Sequence, residues 1–283
     1  MKINILEGNF LILERVDCSI DNVSKKYIFS IDGNYVSATY VNHKNHIICF
    51  PSSIGCNIGC EICYTGCNNP LKRLLTKYEM INIVNTIMDL NELEQEEKHI
   101  LFSCMGTGEP LNNIHNVIES FIMLRNLYAR RKLKFAISTT VPGANRLIYF
   151  AKIMKDNNID VKIQISLHSV NDLMRSKILS KNIIPLKEII SAADMIKNEF
   201  NIEWNYCLIE GVNDDIKYID ELITILPKHQ KIKLNHFNSW DGIKFEASSK
   251  ERVEEFYNKL SLFYEVEVYE TNGSDIQGAC GQH

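Results

Sequence analysis

The stretch Cys49-Phe-Pro-Ser-Ser-Ile-Gly-Cys56-Asn-Ile-Gly-Cys60-Glu-Ile-Cys63 ends in three cysteines with C-x3-C-x2-C spacing. Gly55 and Gly59 allow this loop to curl so that the three sulfurs converge. Thiolates at close range bind soft metals, which means either an iron–sulfur cluster or zinc. Three cysteines on a four-iron cubane leave one iron open for a further ligand. Zinc is the alternative, with Cys67 as the fourth ligand.

Outward from this loop, short β-branched runs alternate with amphipathic segments of helical spacing. The predicted strands are 46–50, 99–105, 133–139, 160–167, 202–209 and 231–237. The predicted helices are 76–92, 113–128, 143–156, 184–199, 214–226 and 249–263, and a further extended run covers 264–270. Six βα units in series imply an α/β fold with a parallel sheet, either an open doubly wound sheet or a partial barrel.

Residues 24–41 predict a β-hairpin, because two alternating runs flank the turn Asp32-Gly33-Asn34. We therefore expect an N-terminal hairpin extension over residues 1–45. The barrel, with a polar cysteine-bearing tail, is expected over 46–283.

The composition is that of an ordinary globular protein, with 45% hydrophobic residues and a formal net charge of −4. This charge gives no support to a partner bound mainly through its phosphates. No apolar stretch predicts a signal peptide or a membrane span, so we expect a cytoplasmic protein with no membrane partner. In that reducing compartment, the nine cysteines are expected to be ligands, nucleophiles or core residues.

Polar and glycine-rich segments follow the predicted strands at their C-terminal ends, where α/β folds build their sites. They are Gly106-Thr-Gly-Glu-Pro110, Ser138-Thr-Thr140, Ser166-Leu-His168 and Asn238. Taken alone, His168 is as well explained by ordinary hydrogen bonding, and Cys49 by packing in the core. Cys18, Cys104 and Cys207 are expected to be small buried residues.

Several motifs occur in the order found in one known family. They are Cys49-Phe-Pro-Ser-Ser-Ile-Gly-Cys56, Met105-Gly-Thr-Gly-Glu-Pro110, Ile165-Ser-Leu-His168, Gly211-Val-Asn-Asp214 and Asp275-Ile-Gln-Gly-Ala-Cys280-Gly-Gln282. From about residue 25 onward, the chain resembles the RlmN/Cfr-type radical S-adenosylmethionine (SAM) enzymes, which methylate an adenosine of ribosomal RNA. The resemblance implies a partial (β/α)6 radical SAM barrel behind the small N-terminal hairpin.

The resemblance also implies the cofactors and their ligands. Cys56, Cys60 and Cys63 would hold a [4Fe–4S] cluster, and SAM would bind the open iron. The residues implied to bind SAM are Gly108, Glu109, Ser138, Ser166, Leu167, His168 and Asn238. The expected partners are an RNA substrate and an electron donor such as flavodoxin or ferredoxin.

Two isolated cysteines are implied to carry the catalysis. Cys280 would accept a methyl group from one SAM, and a second SAM would generate the radical that activates this methyl group for addition to an sp2 carbon. Cys49 would then deprotonate the adduct and release the product, leaving a disulfide with Cys280.

The sequence departs from the family pattern at three places. We expect it to lack the family's N-terminal helical domain, since Cys49 lies near the start of the sequence, and Ser37 stands where the family usually has Glu. The polar tail stops shortly after Cys280. These departures leave a peptide or a nucleotide-like molecule as alternative substrates, and a non-methylating radical SAM enzyme or a non-catalytic cluster protein as alternative functions. Lys72 and Arg73 are the basic residues best placed to meet a phosphate.

Overall fold

A computed structural model describes residues 2–4, 10–228 and 230–283 of the chain. Its strands are β1 Lys2–Asn4, β2 Phe10–Cys18, β3 Ser24–Ile31, β4 Asn34–Asn42, β5 His46–Cys49, β6 Ser53–Ile54, β7 Arg73–Leu74, β8 Ile100–Cys104, β9 Leu133–Thr139, β10 Val161–Ser166, β11 Ile202–Leu208, β12 Lys231–His236 and β13 Glu265–Tyr269. Its α-helices are α1 Tyr64–Asn68, α2 Lys77–Leu90, α3 Ile114–Leu127, α4 Ala144–Asp156, α5 Asp172–Ile178, α6 Leu186–Ile196, α7 Lys217–Ile225 and α8 Lys250–Leu260.

Seven parallel strands form the larger part of one sheet, in the order β5-β8-β9-β10-β11-β12-β13. The predicted strands and helices agree with this βα series, and the extended run at 264–270 is β13. The C-terminal ends of these seven parallel strands lie along one edge of the sheet, which we call the mouth. Their N-terminal ends lie along the opposite edge, which we call the base. Residues at the mouth therefore come together although they are far apart in sequence.

The N-terminal strands continue the same sheet rather than forming a separate layer. The predicted hairpin is present as β3 and β4, and its turn residues Asp32 and Gly33 have φ of 51° and 71°. These left-handed values are those of the tight hairpin turns that follow the twist of a sheet. β4 then pairs antiparallel with β5, and β1 and β2, which the sequence did not predict, extend the other side.

Helix α5 was not predicted, and it serves to fix the loop after β10. Its Arg175 is fully buried. The guanidinium donates to the carbonyl oxygens of Leu167 and Ile184 at 3.2 and 3.3 Å. Arginine is almost never fully buried unless its donors are satisfied, so this position could not be predicted from residue type alone.

Helix α2 begins as expected, with a capping box between Thr76 and Glu79. Glu79 also accepts two hydrogen bonds from Arg73, at 2.7 and 2.9 Å. None of the helices in the described ranges combines the length and the apolar composition that a membrane span requires.

Candidate active site

The loop that carries Cys56, Cys60 and Cys63 lies between β6 and α1 and is folded tightly around glycines. Gly55 has φ of +73°, and a Cβ atom there would stand 2.1 Å from the carbonyl oxygen of Pro70. A Cβ atom on Gly66 would be 2.6 Å from the backbone of Cys60. Only glycine fits at these two positions, so the loop needs them to curl as it does.

The three loop thiols are half-buried and lie within electrostatic reach of one another. Burial raises the pKa of Cys60, and the neighbouring Cys63 and Cys56 raise it further. Burial also raises the pKa of Cys63, to about 11, although the backbone N–H of Gly66 opposes it. The N–H of Ile58 acts in the same way on Cys56. Backbone N–H groups directed at sulfur stabilise thiolate ligands of iron–sulfur clusters, so the loop fits such a group.

The zinc alternative finds less support in the geometry. Cys67 is exposed, and its sulfur lies 3.5 Å from the carbonyl oxygens of Cys60 and Glu61. Across residues 2–4, 10–228 and 230–283, no three His, Cys, Asp or Glu side chains gather closely enough to hold a single ion. A cubane is larger than one ion and takes one thiolate at each of three irons, so its ligands stand further apart.

The glycine-rich segment after β8 packs directly on the strand that leads to the cysteines. The N–H of Gly106 donates to the carbonyl oxygen of Phe50 at 3.1 Å. Gly108 has φ of +103°, and a Cβ atom there would lie 2.1 Å from the hydroxyl of Ser53. The segment therefore packs closely against the residues that lead into the cysteine loop, with no room for a side chain at Gly108.

Glu109 is 5% exposed, and its carboxylate accepts four hydrogen bonds. The donors are the hydroxyls of Thr139 and Thr140 and the N–H groups of Leu111 and Thr140, at 2.5 to 3.1 Å. Burial raises the pKa of Glu109, and these bonds oppose it. In the described part of the chain, no Lys, Arg or His forms an ion pair with this carboxylate. A buried anion without a counter-ion fits a cationic ligand such as the amino group of SAM.

The hydrogen bonds to Glu109 were not predicted from sequence. The run Ser138-Thr-Thr140 was predicted to be a site segment because it ends a strand. In the structure its three residues have different contacts. Thr139 and Thr140 anchor Glu109, while the hydroxyl of Ser138 accepts from Asn205 at 3.3 Å. The Oδ1 atom of Asn205 is buried and has no hydrogen-bond partner among the residues that the structure describes. It is a second polar group at the mouth that a ligand could satisfy.

Two residues implied to bind SAM have structural contacts of their own. Leu167 lies in the hydrophobic core; its N–H donates to Asn205 at 2.9 Å and its carbonyl accepts from Arg175. The Nδ1 atom of His168 accepts from the N–H of Cys207 at 3.0 Å. Burial, with Arg175, lowers the pKa of His168 to about 3, so the ring is neutral and carries its proton on Nε2. Ser166 is half-buried and lies beside them.

Cys49 and Cys280 lie within electrostatic reach of each other at the mouth, although one ends β5 and the other lies in the tail. Cys280 is exposed, and its carbonyl oxygen accepts from Nδ2 of Asn238 at 3.0 Å. Burial raises the pKa of Cys49, and a charge on Cys280 would raise it further, while the N–H of Met105 opposes both. Asn238 thus contacts the tail in this structure.

Two side chains near Cys280 were not predicted from sequence. Lys233 on β12 lies over the ring of Tyr269, with Nζ 3.8 Å from the ring centre. The surrounding protein raises the pKa of the Cys280 thiol, and the Lys233 ammonium opposes this. Lys233 follows the alternating pattern of β12 and faces away from Ile232 and Leu234. The alternation of side chains along β12 is the sequence signal from which the position of Lys233 at the site could have been inferred.

The tail returns across the mouth and binds elements from the whole chain. The ring of His283 lies 2.9 Å from the hydroxyl of Ser37 and 3.4 Å from that of Thr39, both on β4. The hydroxyl of Thr65 donates to the carbonyl oxygen of His283. The side chain of Gln282 donates to the carbonyl oxygen of Ser239 at 2.8 Å. Ser37, the departure from the family's Glu, is thus part of the tail's seat.

The remaining cysteines divide between core and surface. Cys104 and Cys207 are buried as expected, whereas Cys18 is exposed, contrary to expectation. Cys18 is the last residue of β2, where the alternation of the strand gives way to the turn.

Comparison with known proteins agrees with this geometry. Residues 50–223 match the Radical SAM superfamily. A dual-specificity RNA methyltransferase RlmN from Geotalea uraniireducens is 32% identical over 95% of this chain and 77% of its own length. The chain belongs to the RlmN family of radical SAM methyltransferases. A second RlmN, from Buchnera aphidicola, is 32% identical over 91% of this chain and 72% of its length.

Solved structures support the same family. The crystal structure of a radical SAM methyltransferase from Sphaerobacter thermophilus has a TM-score of 0.84 and 26% identity, covering 96% of this chain and 80% of that one. The partial-barrel fold is therefore confirmed. As a family member the chain is an enzyme, a radical SAM methyltransferase, and the alternatives of a non-methylating enzyme and a non-catalytic protein are wrong. The family implies a [4Fe–4S] cluster and SAM.

Proposed function

We propose that this enzyme methylates an sp2 carbon of an RNA adenosine, with Cys280 as the methyl carrier and Cys49 as its partner. Cys56, Cys60 and Cys63 would hold the cluster. Glu109 would bind the SAM amino group, with Gly108, Ser138, Ser166, His168 and Asn238 around the rest of the ligand. Leu167 would make only apolar contact.

One observation carries the proposal, namely that Cys49 and Cys280 approach each other at the mouth, beside the cysteine loop and the glycine-rich segment. A methyltransferase that passed its methyl group directly to a nucleophile would need neither thiol. An amidine carbon of adenine is not nucleophilic, so a covalent carrier is a chemically sufficient reason for both.

When bound, SAM supplies the methyl group and, with the reduced cluster, a 5′-deoxyadenosyl radical. Cys280 would lose its thiol proton and attack the methyl carbon of SAM, so that a new carbon–sulfur bond forms while the sulfonium carbon–sulfur bond breaks and S-adenosylhomocysteine leaves. The S-methyl carbon would later give up one hydrogen atom to the radical that SAM supplies and would bond to the substrate carbon. The cluster, when bound, would supply an acceptor for the one electron that this adduct has to lose. Cys49 removes the proton from that substrate carbon. It then attacks the sulfur of Cys280, so the carbon–sulfur bond breaks, the new methyl group takes up a proton, and a disulfide forms.

The environment of each thiol suits its step. The surrounding protein raises the pKa of the Cys280 thiol, and the Lys233 ammonium offsets part of this rise and so favours the thiolate needed for attack. Burial raises the pKa of Cys49, so its thiolate, once formed, is a stronger base than an ordinary cysteine thiolate. An electron donor such as flavodoxin or ferredoxin would reduce the cluster. A cytoplasmic location suits nine unpaired cysteines.

The test is mass spectrometry of the tail peptide from protein purified anaerobically. We expect Cys280 to carry one additional methyl group, and Cys49→Ala to carry it as well. An unmodified Cys280 after reconstitution with iron, sulfide and SAM would reject the carrier role.

The substrate is tested separately with transcripts of ribosomal RNA, transfer RNA and short stem-loops. Without Cys49 the carbon–sulfur bond is not broken, so Cys49→Ala should remain covalently joined to a true RNA substrate and migrate more slowly on a denaturing gel. Methylated Cys280 with no adduct on any transcript would reject RNA and favour the peptide or nucleotide-like alternatives.

A further inference from the structure

A cavity of about 320 Å³ separates the β3–β4 hairpin from the segment that follows the cysteine loop. We call it the hairpin cavity. Its wall includes Lys26 and Ser37 from the hairpin, Thr65 and Lys72 from the segment after the cysteines, and His283 from the tail. Its volume is at the small end of ligand sites, and Cys63 and Cys280 adjoin residues of its wall.

The hairpin cavity holds two lysines bound only to neutral oxygens. Nζ of Lys26 donates to the carbonyl oxygen of Gln277 at 2.7 Å, and Nζ of Lys72 donates to Oδ1 of Asn34. Neither ammonium forms an ion pair with any carboxylate of the described residues. Asp17, opposite Lys26 on β2, pairs with Arg15 at 3.0 Å. The cavity wall therefore carries two basic side chains that have no ion-pair partner among the described residues, although Asp17 lies within electrostatic reach of Lys26.

Arg73, the neighbour of Lys72, differs sharply. Its guanidinium binds Asp32 at 2.7 Å and Glu79 at 2.7 Å. The two basic residues expected to meet a phosphate thus have different surroundings. Arg73 forms ion pairs within the protein, whereas Lys72 lines the hairpin cavity together with Lys26 of the hairpin.

An aromatic side chain completes the surroundings. Tyr35 is part of the cavity wall and is 69% exposed. Exposed tyrosines next to basic side chains are the elements with which proteins bind single-stranded nucleic acid, since bases stack on the ring while cations meet the backbone. The hairpin cavity has both elements within one small volume.

We propose that the hairpin cavity binds a phosphodiester of the RNA strand beside the target nucleotide, through Lys26 and Lys72, with Tyr35 as the stacking surface for the adjacent base. This inference rests on the proposed function, because its ligand belongs to the same substrate. It also gives the net acidic chain a local cationic site for RNA where the catalytic cysteines lie.

Amine footprinting tests the contact directly on the reconstituted enzyme. The enzyme is acetylated with and without a stem-loop RNA transcript, and each lysine is quantified by mass spectrometry. RNA should protect Lys26 and Lys72. Lys98 is the matched control, since it is exposed and donates only to Oδ1 of Asn42 and the carbonyl oxygen of His43, near the base. If RNA reduces the acetylation of Lys26 and Lys72 no more than that of Lys98, the inference is overturned.

Lysine variants test how much the hairpin cavity contributes to the affinity for RNA. Lys72→Gln and Lys26→Gln should each weaken binding of the transcript and lower the slope of log K against log salt by about 0.7, the value for one lost phosphate contact on a single strand. Lys98→Gln should match wild type. Lys26 also holds the tail, so Lys26→Arg serves as the charge-preserving variant and should bind RNA normally. Wild-type slopes in both glutamine variants would reject the site.

Small ligands separate the possible sources of the phosphate. If adenosine 5′-monophosphate or inorganic phosphate protects Lys26 and Lys72 as well as RNA does, the cavity is a small-phosphate site and the strand assignment is wrong. Protection by the transcript alone supports it. If no transcript binds while Cys280 is methylated, the RNA substrate fails together with this inference. Methylation of RNA by lysine variants with unchanged affinity rejects the cavity alone.

Discussion

Two buried glutamates lie at opposite ends of the parallel strands. At the base, Glu203 is bound by Lys162 at 2.8 Å and by Lys231 at 3.1 Å. At the mouth, Glu109 has four hydrogen-bond donors but no ion-pair partner among the residues described. Burial raises the pKa of Glu203, yet the bonds from Lys162 and its neighbours outweigh this and lower it. For Glu109, burial prevails and the pKa is raised.

Two lysines on β12 repeat the contrast. Lys231, at the base, lies 3.0 to 3.6 Å from the carboxylates of Glu203, Glu265 and Glu267. Lys233, two residues nearer the mouth, lies over Tyr269, and burial lowers its pKa although Cys280 opposes this. The base neutralises its charges within the protein. At the mouth, Glu109 and Lys233 have no ion-pair partner among the described residues, so a ligand that binds there could neutralise them.

The largest effect on stability is expected at the base. Glu203→Gln leaves two ammonium groups without their shared carboxylate, and removing one partner of a buried ion network costs about 3 kcal/mol. Chemical denaturation should show this loss of unfolding free energy. The control is Glu199→Gln, whose exposed pair with Lys155 should contribute about 1 kcal/mol or less. Equal losses in the two variants would remove the contrast between base and surface.

At the mouth, the expected effect is on ligand binding. Glu109→Gln removes a charge-assisted contact, for which about 1.5–3 kcal/mol is typical, so SAM should bind roughly ten- to a hundredfold more weakly. Equilibrium dialysis with the cluster-loaded protein measures this. Glu203→Gln, assayed under conditions where it is folded, should bind SAM as wild type does. If the Glu203 variant loses SAM affinity equally, Glu109 has no special role.

The two glutamates should also differ in the sign of their pH dependence. Because the folded pKa of Glu203 is lowered, its stabilisation is present above the unfolded value of about 4.3 and is lost as pH falls through the folded value. The stability difference between wild type and Glu203→Gln should therefore vanish in acid. For Glu109 the folded pKa is raised, so without SAM the wild type should gain on Glu109→Gln as pH falls. Denaturation midpoints across pH distinguish the two.

The smallest effect concerns the thiol of Cys280. Lys233→Gln removes the cation that opposes the raised pKa, so alkylation of Cys280 by iodoacetamide at neutral pH should slow roughly two- to fivefold, as expected for a partly solvated charge. Lys233→Arg should retain the wild-type rate. If the pH profile of alkylation is the same in wild type and Lys233→Gln, Lys233 acts only in packing.

The local pattern of the sequence predicted the parallel strands and their helices, because each βα unit carries its own periodicity. The capping box at Thr76 and the turn at Asp32 are similarly local signals. Strand β2 was not predicted because it depends on pairing with β3. Helix α5 was not predicted, and its buried Arg175 depends on the carbonyl oxygens of Leu167 and Ile184 as well as on Asp172 of the same helix.

The candidate site was likewise predictable where the signal is local in the sequence, and not where it depends on contacts between distant segments. The positions of Cys49, Cys280 and the glycine-rich segment came from motifs and strand ends, and the structure brings them together at the mouth. The anchoring of Glu109 by two threonines and the approach of Lys233 to the tail depend on neighbours from other strands. Such contacts leave no periodic trace in the sequence.

The seat of the tail has a consequence for how the molecule folds. Its hydrogen bonds with the first strands join residues far apart, as between Asp275 and Ile20, 255 positions away, and between Gly278 and Thr39, 239 away. Contacts between residues so far apart in sequence offset the entropy lost on closing the loop only after the sheet between them has formed. The tail around Cys280 should therefore be the last part of the molecule to become protected from hydrogen exchange during refolding. It should also be the first to open, while the sheet beneath it stays closed.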